Sequence, residues 1–439
     1  MKKKILAVLL ASAMVVSLAA CGGSGSSDSS DGSTAAPVTS DDENTLTVYA
    51  WDKNFNIPAL EAAAADYKEN VNKDFNLEVI EQSQSTDVEN AITLAGSAGD
   101  YSTLPDIVLF QDHWAHKYIT DYPDAFQSMD DVDVNWDDFS QEKLSYSMID
   151  GEHFGLPVDN GTVIFAYRTD LLQEAGYSID DVTGCTWDKF IEVGEAVYAK
   201  TGKYLLSMDG DGNDLPYMML QAEGESQFTD GKPTFAENEK FVQIIDKIEE
   251  MISKNVLYLA NDWSAYTDQT ITNDMVAGVM NGNWIIPTIE QVSENSGKWE
   301  ITSIPTLEGG EGYASNGGSS LYITANCEKT DLAKDFLTYT FGGSSATYDK
   351  ALTDGGVITT CISAGQSEVY NEGVEYFGGQ PIYAKIVEMG ANVPVIEQSD
   401  SHYGCRKQVA AAIINIKDGA KTADALKEAQ EQVNFEMGN

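Results

Sequence analysis

The residues of this sequence best equipped for chemistry are aromatic side chains set among carboxylates and amides, away from the apolar stripes of helices. Trp51 is followed by Asp52 and Lys53. Gln111, Asp112 and Trp114 come directly after the apolar run Ile107 to Phe110. Trp263 lies in an Asn-Asp-Trp-Ser-Ala-Tyr segment, Trp284 ends an Asn-Gly-Asn-Trp segment, and His402 and Tyr403 follow Glu-Gln-Ser-Asp-Ser. An indole offers a flat apolar face, and the neighbouring carboxylates and amides offer acceptors around its edge. That pairing suits a ring with a C–H face and a rim of hydroxyls, which is the surface of a sugar. Taken singly, each Trp is as compatible with core packing; their shared placement at polar junctions favours a ligand surface for the group.

Other reactive patterns are incomplete. The sequence has no GxSxG elbow, Walker loop, GxGxxG or HExxH. Asp209, Asp211 and Asn213 stand at the first three ligand spacings of an EF-hand calcium loop, but Asp214 replaces its glycine and Leu220 its terminal glutamate, so a polar turn is expected there. His113 and His116 lie three apart and could share a helical face around a metal, yet no third ligand is indicated nearby. No cofactor and no metal are expected. The 70 acidic residues guarantee that some carboxylate pair imitates a glycosidase site, so their number alone argues nothing.

The elements that must position these residues begin with an export signal. Lys2, Lys3 and Lys4 precede an apolar run from Ile5 to Ala20, which closes on Leu18, Ala19, Ala20 and Cys21. The run is shorter than the ~20 residues of a permanent span and reads as a signal peptide (residues 1–20) ending in a lipobox. Residues 21–44, almost entirely Gly, Ser, Asp, Thr and Ala, cannot bury enough apolar surface to order themselves and read as a tether lipidated at Cys21. The remainder exceeds the size at which one core keeps growing, so two lobes are expected. With 26 basic against 70 acidic residues, a net charge of −44, nucleic acid is excluded as a partner, and the membrane is met only through the anchor. Neutral or cationic ligands are favoured. Cys185, Cys327, Cys361 and Cys405 could pair in an exported protein by any of three connectivities.

Strand-like and helix-like segments alternate, as in an α/β protein. Leu46 to Ala50, Leu77 to Ile80 and Ile107 to Phe110 have strand length and pattern, and Pro58 opens an alanine-rich helix between the first two. Thr186 is placed to cap a helix carrying Trp187, Phe190, Ile191 and Val197 on one face and ending at Gly202. Phe241, Ile244, Ile245, Ile248, Met251 and Ile252 keep the three-and-four spacing of a core-facing helix.

In order, these segments resemble the family 1 extracellular solute-binding proteins of ABC importers, the cluster that includes maltose-binding protein. The resemblance covers nearly all of the chain after the tether. It is carried by Leu104-Pro105-Asp106-Ile107-Val108, by Gly155-Leu156-Pro157-Val158-Asp159 running into Phe165 to Leu172, by Thr186-Trp187-Asp188-Lys189-Phe190, by Gly278 to Trp284, and by the stretches Thr330 to Leu337 and Thr422 to Gln430. It implies a type II, maltose-binding-like α/β fold of two lobes with the ligand between them. The implied lobes are residues 45–158 plus 315–364 and residues 159–314 plus 365–439. Residue by residue, Trp51, Asp52 and Lys53 match the family's first contact loop. Gln111, Asp112 and Trp114 match its second, with Gln111 where the aromatic usually stands. Asp159 matches a hinge acid, Asn213 and Asp214 fall in a second-lobe contact loop, and Trp284 matches a stacking Trp. His402 falls where maltose-binding protein has a stacking Trp, with Arg406 one turn on, a departure that speaks against maltose itself. Gly317 and Gly318 permit close backbone approach at the cleft, or simply a turn.

The expectation is a monomeric, non-enzymatic lipoprotein on the outer face of the cytoplasmic membrane. It would capture a neutral di- or oligosaccharide and deliver it to the permease subunits of an ABC importer. Three alternatives stand beside it. A peptide, amino-acid or metal receptor of the same fold would need a cationic pocket, which only Lys53, Arg168 and Arg406 are placed to supply; an exported carbohydrate-active enzyme would use carboxylates near Asp159 or Asp214. A surface adhesin would need no closing cleft at all.

Overall fold

The computed structural model describes residues 38–159, 161–210 and 214–436; the signal peptide, Cys21, most of the tether and Asn213 lie outside them. Strand β1 (Thr45–Ala50) is almost entirely buried, as expected for a strand covered on both faces, and runs parallel to β2 (Asn76–Glu81) and β3 (Ile107–Gln111). The half-exposed pattern of β2 follows from its place at the sheet edge. Asp106, just before β3, accepts from the Thr47 amide at 2.9 Å and hydroxyl at 3.0 Å, which pins β1 against β3. Strand β4 (Gly155–Asp159) completes this side. The helix Asn56–Asn70, with Pro58 in its first turn, packs Ala59, Leu60 and Ala63 into the same core.

Beyond Asp159 the chain enters two further sheets, one of two strands and one of three. Strand β5 (Val163–Arg168) is fully buried, β6 (Leu206–Asp209) runs parallel to β7 (Leu257–Ala260), and β8 (Gly278–Gly282) and β9 (Trp299–Thr302) flank β5 in antiparallel order. The Thr186 hydroxyl caps the helix Trp187–Thr201 by accepting from the Lys189 amide at 3.1 Å, and Gly202 ends it in a left-handed conformation. The helix Glu239–Ser253 buries Phe241, Ile244, Ile245, Ile248 and Met251 as its spacing requires; Ile252 is only partly covered. Its cap, Asn238, carries no signal in the apolar pattern that marks the helix.

The chain then returns. Strand β10 (Ser319–Ile323) inserts antiparallel between β3 and β4, giving the first sheet the order β2-β1-β3-β10-β4. The outgoing and returning segments pair with one another, Thr162 beside Ser315, with the Asn316 amide donating to the Gly161 carbonyl at 2.7 Å and the Val163 amide to the Ala314 carbonyl at 2.8 Å. A third passage follows Val357, Cys361 and Ala364, which pack in the first core, towards Tyr370, Phe377 and Ile382, which pack in the second.

The cysteines do not pair. Cys185, Cys327, Cys361 and Cys405 are free thiols, the last three buried as small apolar residues. Burial pushes the Cys327 and Cys405 thiols up to about 12, which makes them inert.

Beside the paired crossings sits a buried polar knot. Glu142, on the helix Gln141–Ser145, accepts from the Ser315 hydroxyl at 2.5 Å and from Gln221 Nε2 at 3.3 Å; Gln221 in turn accepts from the Ser315 amide at 2.9 Å. The Tyr146 hydroxyl lies 3.0 Å from Ser315 Oγ and 3.3 Å from the Tyr217 hydroxyl. Burial raises the Glu142 carboxyl above its ordinary range, and Ser315, Tyr146 and Gln221 pull it back. Because a buried acceptor left short of a donor is costly, Ser315→Ala is expected to lower stability by roughly 1–3 kcal/mol in urea unfolding; an unchanged midpoint would show that Glu142 is satisfied without it.

Candidate ligand cleft

Strands β1, β3 and β4 run in the same direction, so Trp51, Gln111 and Asp159 emerge together at their carboxyl ends, with Gly317 to Ser319 entering β10 at the same edge. From the two further sheets, Asp214 follows β6, Trp263 follows β7, and Asn281 and Trp284 lie at the end of β8. The two sets face a cleft of ≈ 660 Å³. Placement outside the carboxyl ends of strands is the usual position for ligands of open α/β sheets.

One wall is aromatic. The rings of Trp263 and Trp284 lie 5.7 Å apart, and Trp284 is held by its Nε1–H donating to the Asn316 carbonyl at 2.7 Å. Gly317 and Gly318, at φ 83° and 92°, make that fit possible: a Cβ on Gly317 would stand 2.8 Å from Trp284 Nε1, and one on Gly318 would stand 2.5 Å from Asp112 Oδ2. Trp263 is 43 % exposed, unusual for a Trp in a monomer core and fitting for a ring that stacks on a ligand.

The polar groups are unevenly satisfied. Asn56 is 1 % exposed and Asp214 5 %, both line the cleft, and Asn56 Oδ1 and Asp214 Oδ1 have no hydrogen-bond partner. Asp214 Oδ2 faces Arg406 Nη1 at 3.3 Å. Arg406 is the only lysine or arginine among the described lining residues, so the cleft has unpartnered acceptors and no unpaired cation. Beneath the floor, Lys143 donates to Asp112 and, at 2.9 Å, to the Ser319 carbonyl, while the Ser319 hydroxyl donates to Asp159. Burial pushes the Asp112 carboxyl up to about 7 against the pull of Lys143, and burial likewise raises Asp159.

Of the residues expected as contacts, Trp51, Asp52, Gln111, Asp159, Asp214, Trp263, Trp284, Gly317, Gly318, Tyr403 and Arg406 line this cleft. Four do not. Lys53 is exposed at the outer corner of a turn, closed by the Phe55 amide donating to the Asp52 carbonyl at 3.2 Å, that Asp52 opens with φ 57°. Asp112 is consumed by Lys143. Trp114 stands behind Tyr403, their rings 4.5 Å apart, and His402 is buried flat against His113 at 3.9 Å and 6°. Asn213 lies outside the described residues. His113 therefore meets an imidazole from the other side of the cleft, and no group of three metal-ligating side chains forms among the described residues. Sequence reasoning missed Asn56, Asn281 and Asn316 as lining residues; Asn281 lies in the very Asn-Gly-Asn-Trp segment singled out for Trp284, whereas Lys143 sits on a short helix with nothing in its neighbourhood to announce a buried cation.

A family profile described as bacterial extracellular solute-binding protein matches residues 62–378, most of the chain. The chain belongs to that family. Among relatives of this solute-binding protein, a lactose-binding protein of Rhizobium radiobacter is 29 % identical over 392 residues, covering 88 % of this chain and 92 % of its own. An arabinooligosaccharide-binding protein of Halalkalibacterium halodurans is 24 % identical, covering 80 % of each. The solved sugar-binding protein MalE of Xanthomonas citri superposes with a TM-score of 0.74 at 17 % identity, over 90 % of this chain and 97 % of that one. The fold of this solute-binding protein is thus the two-lobe, maltose-binding-like α/β fold. The family is one of binding proteins rather than enzymes.

Burial of the His113 imidazole leads us to expect an acid-sensitive stability in this solute-binding protein. His113 is held well below its ordinary value by burial first, then by His402 and the cations Arg406 and Lys143. All four ring nitrogens of the pair lack hydrogen bonds; Asp214, 3.6 Å from His402 Nε2, is the nearby carboxylate, and Tyr146, Tyr217 and Tyr403, whose phenols are raised, stay neutral around the rings. A base whose folded value is lowered takes up its proton more readily when unfolded or solvated, near pH 6.5, so its stabilisation is complete above that value and lost as the pH falls. Glu142 and Asp112, both raised, act in the opposite sense, so a variant must isolate the ring. From pH 7.5 to 5.5 the urea midpoint of the wild type is expected to fall relative to that of His113→Phe; identical pH profiles would show that His113 protonates without cost.

Proposed function

We propose that this chain is the lipid-anchored receptor of an ABC importer that captures a neutral di- or oligosaccharide between its lobes and hands it to a membrane permease. The observation that carries this reading is the indole pair Trp263 and Trp284 on the wall of a cleft otherwise lined by amides and carboxylates such as Asp52, Asn54, Gln111 and Gln291, with no free lysine or arginine among the described lining residues. The C–H faces of a sugar would cover the indoles while its hydroxyls bond the amides and carboxylates. The peptide or amino-acid alternative is disfavoured because a carboxylate needs a free cation. Arg406 is engaged by Asp214, Arg168 by Asp170 and Asp274, and Lys53 points away from the cleft.

The lobes we assign are residues 45–158 with 315–364 and residues 159–314 with 365–439, meeting at the paired crossings. Contacts to both lobes favour the closed arrangement, which the permease would recognise, and no covalent step is involved. Lactose, the cargo named for the Rhizobium radiobacter relative, is the first sugar to test.

Thermal unfolding of the chain from Thr45 onward is expected to shift upward with lactose or a related neutral saccharide and to stay unchanged with amino acids and divalent metals. A response to amino acids or peptides alone would overturn the sugar. Trp284→Ala should weaken the saccharide at least ~tenfold by calorimetry, since a lost aromatic face removes both area and stacking; unchanged affinity would remove Trp284 from the contact set. For the anchor, Cys21→Ser is expected to move the protein from the membrane fraction to the medium, and retention at the membrane would refute lipidation at Cys21.

A further inference from the structure

At one end of the cleft the lobes already touch. The Tyr403 hydroxyl, on the helix His402–Lys417 of the second lobe, donates to Gln111 Oε1 of the first at 2.8 Å, and both residues line the cleft. The Tyr403 ring continues a column of first-lobe aromatics: Trp114 stacks on it at 4.5 Å and 25°, Tyr118 on Trp114 at 5.7 Å and 20°, and Tyr122 on Tyr118 at 6.3 Å and 13°. One residue earlier, His402 lies against His113 at 3.9 Å, and both imidazoles are at least nine-tenths buried. Gln111, His113 and Tyr403 line the cleft, whereas Trp114 and His402 behind them do not.

We propose that Tyr403, fixed by Gln111 and backed by Trp114 and the His113–His402 stack, is the end wall of the cleft and the residue that limits cargo to short saccharides. This rests on the sugar-receptor reading and adds a length limit to it. A ring added to a bound disaccharide at this end meets Tyr403 face or edge. To pass, it must break the hydrogen bond to Gln111 and draw the ring off its aromatic column, exposing Trp114 and the imidazole pair to water. At the other margins the lining is made of exposed or flexible groups such as Asp52, Asn54 and Gln291, which give way at little cost.

The experiment is calorimetry of the chain from Thr45 onward with matched series of two, three and four rings: lactose and its galactosyl extensions, and the cellobiose and maltose series. In the wild type, affinity should fall at least tenfold when the two-ring sugar of the preferred series is lengthened. In Tyr403→Ala that penalty should shrink to within about threefold, while Tyr403→Phe, which keeps the ring and loses only the bond to Gln111, should retain most of it. A wild type that binds all lengths equally, or a Tyr403→Ala variant that keeps its thermal midpoint but loses affinity for every length in parallel, would overturn the wall and make Tyr403 an ordinary contact. A wild type that responds to amino acids and to no sugar would instead overturn the sugar reading, and the length limit with it.

Discussion

A lysine buried under the cleft is the constraint on which the binding surface depends. Lys143 reaches from the helix Gln141–Ser145 to Asp112 and to the Ser319 carbonyl, and Ser319 in turn binds Asp159. One cation thus ties the ends of β3, β10 and β4 together from below. Such a pair adds little net stability, because both ions must leave water, but removing one partner strands the other in a dry interior at a cost of roughly 3–5 kcal/mol. Its value here is geometric. With Asp112 held at its place, Gly318 must remain without a side chain, Gly317 turns beside it, and the Asn316 carbonyl is aimed at the Trp284 indole. The position of the Trp284 indole is therefore set by an ion pair at the ends of β3 and β10.

The same pair explains why so acidic a chain presents a cleft suited to a neutral ligand. Lys143 and Arg406 each answer a carboxylate, Asp112 and Asp214, and Asp159 is occupied by Ser319. Internal partners occupy these charges. An anionic ligand would meet a field with no counter-ion to spare, whereas a polyol needs only hydrogen-bonding groups such as the exposed amides of Asn54 and Gln291.

How much of this was legible in the sequence follows from which residues carry their own context. The capped helix at Thr186, the stripe on Glu239–Ser253 and the strands Thr45–Ala50 and Ile107–Gln111 are local patterns, and local patterns are readable. The aromatics at strand ends were readable for the same reason: Trp51 and Trp284 stand beside polar residues, Asp52 and Asn281, that share the cleft with them, and Trp263 lies in a polar segment of its own. Lys143 was not, because its partners are 31 and 176 residues away and its own neighbours are unremarkable. His402 and Trp114 were misplaced by one layer. Their spacing puts them beside cleft residues, but whether an aromatic faces ligand or a facing aromatic depends on the other lobe, and the sequence says nothing of that approach. The cysteines were ambiguous in kind, since a secreted protein can use them as staples or as small apolar residues, and here the cores of both lobes take them as the latter.

Closure and specificity are then two aspects of one contact set. In the lobes we assign, Glu142 and Ser315 of the first meet Gln221 of the second at the polar knot; beside it, with His113 5.1 Å from Tyr146 and His402 4.8 Å from Tyr217, His402 meets His113 and Tyr403 meets Gln111. Next to these contacts the cleft presents amides and carboxylates, some already bonded within the protein, as Asp159 is to Ser319 and Asp214 to Arg406. Bringing the lobes together without cargo gains these contacts but takes the remaining polar groups of the cleft out of water with no ligand hydroxyl to answer them, a cost of the same order as the hydrogen bonds gained. Cargo removes that cost. A ligand that fits the cleft therefore shifts the equilibrium by its full differential affinity, whereas one that forces these contacts apart gives back what it gained. With Tyr403 as the wall we propose, selection by length and selection for the closed form are the same free-energy difference.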